Sequence, residues 1–83
     1  MSKKHIEEAV RLSLESYFRD LRGTEPDNLH DMMVTVIEKP LLETVMHHAE
    51  GNQSRAAQWL GLNRNTLRKK IRDLDIQVMR GLG

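Results

Sequence analysis

Residues 51–71 of the chain, GNQSRAAQWLGLNRNTLRKKI, carry the pattern that decides the fold. Asn52 and Asn63 are of a residue type that caps helix N-termini, so the stretch predicts two short helices, the first ending near Gly61. Ala57 is the small residue that two closely crossing helices require, and glycine suits a turn with positive φ at residue 61. The spacing predicts a helix-turn-helix.

The second predicted helix of this stretch has one apolar face and one cationic face. At about 100° per residue, Leu67, Ile71 and Leu74 share the apolar face. We expect this face to pack inward with three apolar residues of the first helix and the turn, which are Ala56, Leu60 and Leu62. The opposite face is more cationic than packing requires, which predicts DNA as its ligand. It consists of Asn65, Arg68, Lys69 and Arg72.

The net charge of +1 divides unevenly along the chain. Residues 1–51 hold six Lys and Arg against ten Asp and Glu, a net charge of −4, whereas residues 52–83 hold seven against two, a net charge of +5. Ordinary solvated charge could produce such a division. Next to the helix-turn-helix it favours a polyanion that meets the C-terminal part, while the acidic part contacts itself.

A first long helix is predicted over residues 6–21, with its end capped at Gly23. Its large apolar residues recur every three or four positions and form one stripe: Ile6, Val10, Leu14, Phe18 and Leu21. The following segment, TEPDN, has turn residues and then helix-start residues. Either Thr24 with Asp27 or Asn28 with Asp31 could form the capping pair of the next helix.

A second long helix is predicted over residues 29–49 and would be about 31 Å long. Pro40 lies at its middle, which predicts a kinked single helix because the apolar stripe continues in phase; the alternative is two helices divided at Lys39. Its stripe is too broad for the other helices to cover. A chain of 83 residues also buries little apolar surface by itself, so we expect this helix to pack against its copy in a dimer.

Several classes of protein are disfavoured by composition. The chain has no cysteine, no apolar run near the about 20 residues of a membrane span and no signal-peptide pattern at its start, so a soluble cytoplasmic protein without a membrane partner is expected. The carboxylates of the first helix have no nucleophile or glycine-rich loop beside them, which predicts that the protein is not an enzyme.

The histidines and the single tryptophan are the remaining candidates for ligand sites. His47 and His48 point about 100° apart on a helix and lack a third ligand, so solvated or interface histidines are favoured over zinc, and neither a metal nor a cofactor is expected. Trp59 could stack on single-stranded bases, but a lone aromatic residue on a motif helix favours packing against its neighbours.

The helix-turn-helix stretch, with the preceding PLLETVM and with SLESYFRDL of the first helix, resembles the Fis family (factor for inversion stimulation) of bacterial nucleoid proteins. The likeness covers about residues 10–74. The motif is also similar to the C-terminal DNA-binding domains of NtrC-type enhancer-binding activators, although the free-standing length and the match in the first two helices favour Fis. A helical module whose basic helix binds an acidic protein is a further alternative.

The resemblance implies an all-α, four-helix protomer in an intertwined homodimer. The chain would form one domain over residues 1–83, with dimerisation helices at 6–50, the helix-turn-helix at 51–76 and a flexible tail at 77–83. The implied dimer interface comprises Val10, Leu14, Phe18, Met33, Val36, Ile37, Leu41 and Val45.

The resemblance further implies a protein that binds and bends double-stranded DNA in the bacterial nucleoid and regulates transcription, with RNA polymerase as a candidate partner. Its degenerate sequence preference would come from the compressibility of the minor groove between half-sites. Only residues 1–5 precede the first predicted helix, so the recombinase contact made by the longer N-terminal arm of other members is not expected here.

Site residues follow from the same resemblance. Arg64 would contact guanine O6 and N7, with Asn63 as a second base contact. Asn65, which stands where the best-known members have glycine, and Arg72 are candidates for additional DNA contacts. The implied contacts to the DNA backbone are Asn52, Gln53, Ser54, Arg55, Thr66, Arg68, Lys69 and Lys70.

Overall fold

A computed structural model describes residues 2–77, and these form four α-helices connected by short turns. They are α1 (Lys3–Leu21), α2 (Leu29–His48), α3 (Gln53–Leu60) and α4 (Arg64–Asp73). The all-α, four-helix prediction is confirmed for this part of the chain. Apart from Gln77, the predicted flexible tail lies outside the described residues.

Helix α1 is longer at its start than predicted, because it begins at Lys3 rather than at Ile6. Lys3, Lys4 and His5 carry no helix-breaking feature, so the helix extends to Ser2 as its N-cap. At the other end, the left-handed C-cap is Arg22 (φ 52°), and Gly23 follows with φ 85°. The predicted cap at Gly23 is therefore displaced by one residue.

Helix α2 is one continuous helix with Pro40 inside it, and the alternative of two helices divided at Lys39 is wrong. Proline has no amide hydrogen, so the carbonyl of Val36 loses its helical partner there, and a kink at this turn stays a prediction. Asn28 occupies the N-cap in a left-handed conformation (φ 53°), but its side chain makes no capping hydrogen bond. Neither predicted capping pair is formed as expected.

Helix α2 ends in backbone hydrogen bonds from two residues, Glu50 and Gly51, and not from the predicted Gly51 alone. Glu50 takes the left-handed conformation (φ 54°) and donates its amide hydrogen to His47, while the Gly51 amide donates to the Met46 carbonyl. These two bonds satisfy carbonyls that the helix end would otherwise leave free. The chain thereby turns directly into Asn52 and α3.

The buried core lies in the C-terminal part of the chain. Leu42, Met46 and Ala49 of α2 and its cap pack with residues from α3, α4 and the segment after α4. Helix α1 contributes no buried residue. The second half of α2 and the helix-turn-helix therefore form one packed unit. The remaining buried residues are Ala56, Ala57, Leu67 and Ile76.

Large apolar side chains stay exposed on α1 and on the first half of α2. Four of the eight predicted dimer-interface residues are exposed, and the others are half-buried, Val45 against the core. The exposed four are Phe18, Val36, Ile37 and Leu41. Exposed apolar side chains on two helices favour an interaction surface, and the homodimer that would cover them stays a prediction.

Candidate nucleic-acid interface

The turn between α3 and α4 has the geometry that the sequence predicts. Ala57 is 3% exposed between the helices, and Gly61 is the left-handed C-cap of α3 with φ 73°. A Cβ atom on Gly61 would meet nothing within 4 Å, so glycine is needed here for backbone conformation and not for space. The Leu62 amide then donates to the Ala57 carbonyl at 2.9 Å and closes the turn.

Both helices of the motif begin with a side-chain cap from asparagine. Asn52 Oδ1 accepts a hydrogen bond from the Arg55 amide at 3.0 Å, and Asn63 Oδ1 accepts one from the Asn65 amide at 2.7 Å. The predicted N-caps are confirmed. One lone pair of the Asn63 oxygen is used at the cap, whereas its side-chain NH₂ makes no hydrogen bond to the residues that the structure describes and stays free for a base. Asn63 can therefore donate to a base acceptor without giving up its cap.

Helix α4 is anchored by one face and exposes the other. Leu67 is fully buried, and Ile71 and Leu74 pack half-buried against the core. The outward side chains carry four cations and only one acid, Asp73, whose carboxylate lies 3.8 Å from Arg72 Nε. The short helix is thereby packed by its apolar face while its charged face stays open to a ligand. The exposed side chains predicted to contact DNA are Arg64, Asn65, Thr66, Arg68, Lys69 and Arg72.

The N-terminus of α3 places a second group of predicted contact residues at the surface. Asn52, Ser54 and Arg55 are exposed and Gln53 is half-buried. The α3 amides and the Arg55 guanidinium would suit a phosphate, because the first turn of a helix carries partial positive charge.

Lys70 differs from the other predicted phosphate contacts. Its Nζ lies 3.0 Å from Glu38 Oε2 on α2, and its side chain is 34% exposed. It flanks the buried face of α4 instead of the open face. This ion pair was not predicted, because no local pattern connects residues separated by so much sequence.

Comparison with known proteins agrees with this motif. A family model described as the bacterial regulatory protein, Fis family, matches residues 34–74. A putative Fis-like DNA-binding protein of Ralstonia nicotianae is 58% identical over 71 residues, which cover 86% of this chain and 92% of that protein. The chain belongs to the Fis family. The predicted resemblance is confirmed, and membership of this regulatory family also agrees with the prediction that the chain is not an enzyme.

Two further relatives show the range of proteins that share this Fis-family sequence. The DNA-binding protein Fis of Photobacterium profundum is 42% identical over 72 residues, which cover 87% of this chain and 74% of that protein. The DNA-binding transcriptional regulator NtrC of Azospirillum brasilense is 53% identical over 75 residues, covering 89% of this chain but 16% of that regulator. The similarity to NtrC-type activators that the motif predicted is therefore present as well.

Among residues 2–77 of this Fis-family chain, the remaining candidate groups do not form a metal site or a membrane span. His47 and His48 are both exposed, with ring centroids 5.5 Å apart, and residues 2–77 contain no group of three His, Cys, Asp or Glu side chains suited to a metal ion. Over the same residues, none of the helices combines the length and apolarity needed to cross a membrane. Trp59 is 55% exposed, so the prediction that it packs against its neighbours is wrong.

Sequence reasoning missed one core residue that fixes the end of α4. Ile76 is 6% exposed, and its amide donates to the Ile71 carbonyl at 3.0 Å, while Asp75 before it is left-handed (φ 53°) and donates to Arg72. This arrangement normally places an apolar residue two positions after the cap against the helix. The signal was obscured because aspartate, rather than glycine, holds the left-handed position.

Proposed function

We propose that this chain is a homodimeric protein of the bacterial nucleoid that binds and bends double-stranded DNA and regulates transcription in the cytoplasm. The observation that carries the proposal is the open cationic face of α4, which is held in place by fully buried Leu67 and by the Asn63 cap. The Ralstonia and Photobacterium relatives are both named DNA-binding proteins, which supports the same partner.

Dimerisation is supported by the uneven burial of the protomer. Helix α1 has no buried residue, although it carries Phe18 and a regular apolar stripe, and α2 exposes Val36, Ile37 and Leu41. Covering these side chains with a second copy would recover the burial that a lone small chain lacks. In this arrangement two α4 helices meet DNA together, and their separation becomes part of recognition.

Sequence preference is assigned mainly to Arg64. Its exposed guanidinium stands at the first position of α4, where recognition-helix side chains reach base edges, and it can donate two hydrogen bonds to guanine. Asn63 assists through its NH₂, and the other exposed cations hold phosphates. Because few bases are contacted, the degenerate sequence preference then depends on the free energy needed to deform the DNA between the half-sites.

A pair of substitutions tests these roles. Arg64→Ala is expected to weaken binding to preferred sites by about 1–3 kcal/mol and to flatten sequence preference, whereas Lys69→Ala weakens binding to all duplexes similarly and reduces the salt dependence. Affinities for a preferred and a scrambled duplex are measured by fluorescence anisotropy across a salt series. If Arg64→Ala weakens both duplexes equally, Arg64 is not the base-reading residue.

Bending and stoichiometry are tested in one gel-shift experiment. A set of circularly permuted duplexes with an A/T-centred site should give complexes whose mobility depends on the position of the site, with two protomers bound per duplex. Equal mobility for all permutations would refute bending. Failure of the folded protein to shift any duplex at moderate salt would refute DNA binding itself.

A second candidate is the DNA-binding part of an NtrC-type activator. The 53% identity to the Azospirillum regulator favours it, since that match covers nearly the whole of this chain. The two candidates share the DNA interface and differ in what is attached to it. Sequencing the transcript upstream of the Met1 codon distinguishes them, because an activator requires a long open reading frame in phase before that codon.

A further inference from the structure

The ion pair between Glu38 and Lys70 connects the long helix α2 to the recognition helix α4. Its Nζ to Oε2 distance is 3.0 Å, and the two side chains are 25% and 34% exposed, for Glu38 and Lys70 respectively. The other Lys or Arg pairs among the described residues join neighbours in sequence and are more exposed, such as Arg11 with Glu8. Glu38 with Lys70 is thus the sheltered pair, and it lies beside the DNA-facing surface.

The chemistry of this pair places it in competition with DNA. A lysine ammonium binds a carboxylate and a phosphate through the same charge and the same hydrogen-bond donors. Partial shelter from water strengthens the attraction between the two groups relative to a fully exposed pair. While Glu38 holds Lys70, it offsets the positive charge and occupies one of the three ammonium donors, so a phosphate gains the full charge of Lys70 only when this pair opens.

We propose that Glu38 withholds Lys70 from the DNA backbone and thereby limits the sequence-independent affinity of the protein. Glu38 then acts without touching DNA itself, and Lys70 makes no phosphate contact in a non-specific complex. This inference rests on the proposed DNA-binding function. The family resemblance implies that Lys70 contacts the DNA backbone. In this proposal Lys70 instead forms an ion pair with Glu38.

The test is a salt titration of binding to a duplex that lacks a preferred site. Glu38→Gln keeps the size of the side chain and removes its charge. If Lys70 is released to a phosphate, the slope of log K against log salt becomes steeper by about 0.9 per protomer, which corresponds to about eightfold tighter binding per contact near 0.1 M salt. Binding to a preferred site gains no more than this, so the ratio of specific to non-specific affinity does not rise.

A double-mutant cycle separates release of Lys70 from loss of negative charge. Lys70→Gln alone should leave the salt slope unchanged, and Glu38→Gln combined with Lys70→Gln should lose the gain of the first substitution. Glu43→Gln is the matched control, since it removes the same charge from a half-buried position on α2 that forms no ion pair among residues 2–77. Circular dichroism and sedimentation verify that each variant keeps its fold and oligomeric state.

Each outcome is decisive. An unchanged slope for Glu38→Gln, an equal gain for Glu43→Gln, or a gain that persists without Lys70 would overturn the inference while leaving DNA binding intact. A shallower slope for Lys70→Gln alone would overturn it even if Glu38→Gln were too unstable to measure. If wild-type protein bound no duplex, the proposed function would fail first, and this inference with it.

Discussion

Gly61→Ala isolates the energetic role of the turn in the helix-turn-helix. The residue has φ 73° and ψ 26°, and an added Cβ would meet nothing within 4 Å. The substitution therefore creates no clash, and its cost is the strain of a left-handed alanine, about 1–2 kcal/mol. Alanine also restricts the unfolded chain, which offsets about 0.4–1 kcal/mol. We expect a net loss of about 1 kcal/mol in the free energy of unfolding.

Gly23→Ala is the matched control for this prediction. Gly23 also has a positive φ, 85°, and open space around its Cβ position. It follows α1, which contributes nothing to the buried core, whereas Gly61 joins two helices that share it. The same local strain at Gly23 is therefore expected to loosen the end of α1 and to change the unfolding of the helix-turn-helix less.

Urea unfolding at one fixed protomer concentration measures both variants, with far-UV circular dichroism for total helix and fluorescence of Trp59 on α3 for the motif. Gly61→Asn should recover part of the loss, because asparagine tolerates the left-handed conformation better than alanine. A loss above about 3 kcal/mol for Gly61→Ala would refute this reasoning, since left-handed strain alone does not reach that value. A clear gain in the free energy of unfolding would mean that the turn adopts another conformation, because the offset from the unfolded chain does not exceed the strain.

Three other substitutions test the caps, the core and the uncovered surface. Asn63→Ala removes the oxygen that caps α4 and should reduce the free energy of unfolding by about 0.5–2 kcal/mol in urea, whereas Asn63→Asp keeps an acceptor and should lose less. Leu67→Ala empties a fully buried position and should cost about 2–5 kcal/mol by the same measurement, against a small effect for exposed Thr66→Ala. Phe18→Asp places a charge on the exposed face of α1 and should shift the sedimentation coefficient from dimer to monomer; an unchanged coefficient would place Phe18 outside the dimer interface.

The helix-turn-helix could be predicted from sequence because its determinants are local. Asn52, Ala57, Gly61 and Asn63 each act within a few residues, through a cap, a close crossing or a positive φ, and the structure confirms each of them. Leu67 was predictable for a similar reason, since helical periodicity places it opposite the cations. Local rules were weaker at the helix ends, where Arg22, Glu50 and Asp75 adopt left-handed conformations in place of glycine.

Contacts between residues far apart in sequence could not be predicted from the sequence. Ile76 becomes buried only because α4 ends beside α2 and α3, and Glu38 meets Lys70 only once α2 and α4 are packed together. The family resemblance predicts that Lys70 contacts a phosphate, because of its position in the motif. However, the group beside Lys70 is Glu38, which lies on another helix, α2. The charge of a recognition helix is therefore an upper limit on the charge that it offers to DNA. In this protein, we infer that Lys70 of α4 is paired with Glu38 in the absence of DNA and is therefore not offered to a phosphate.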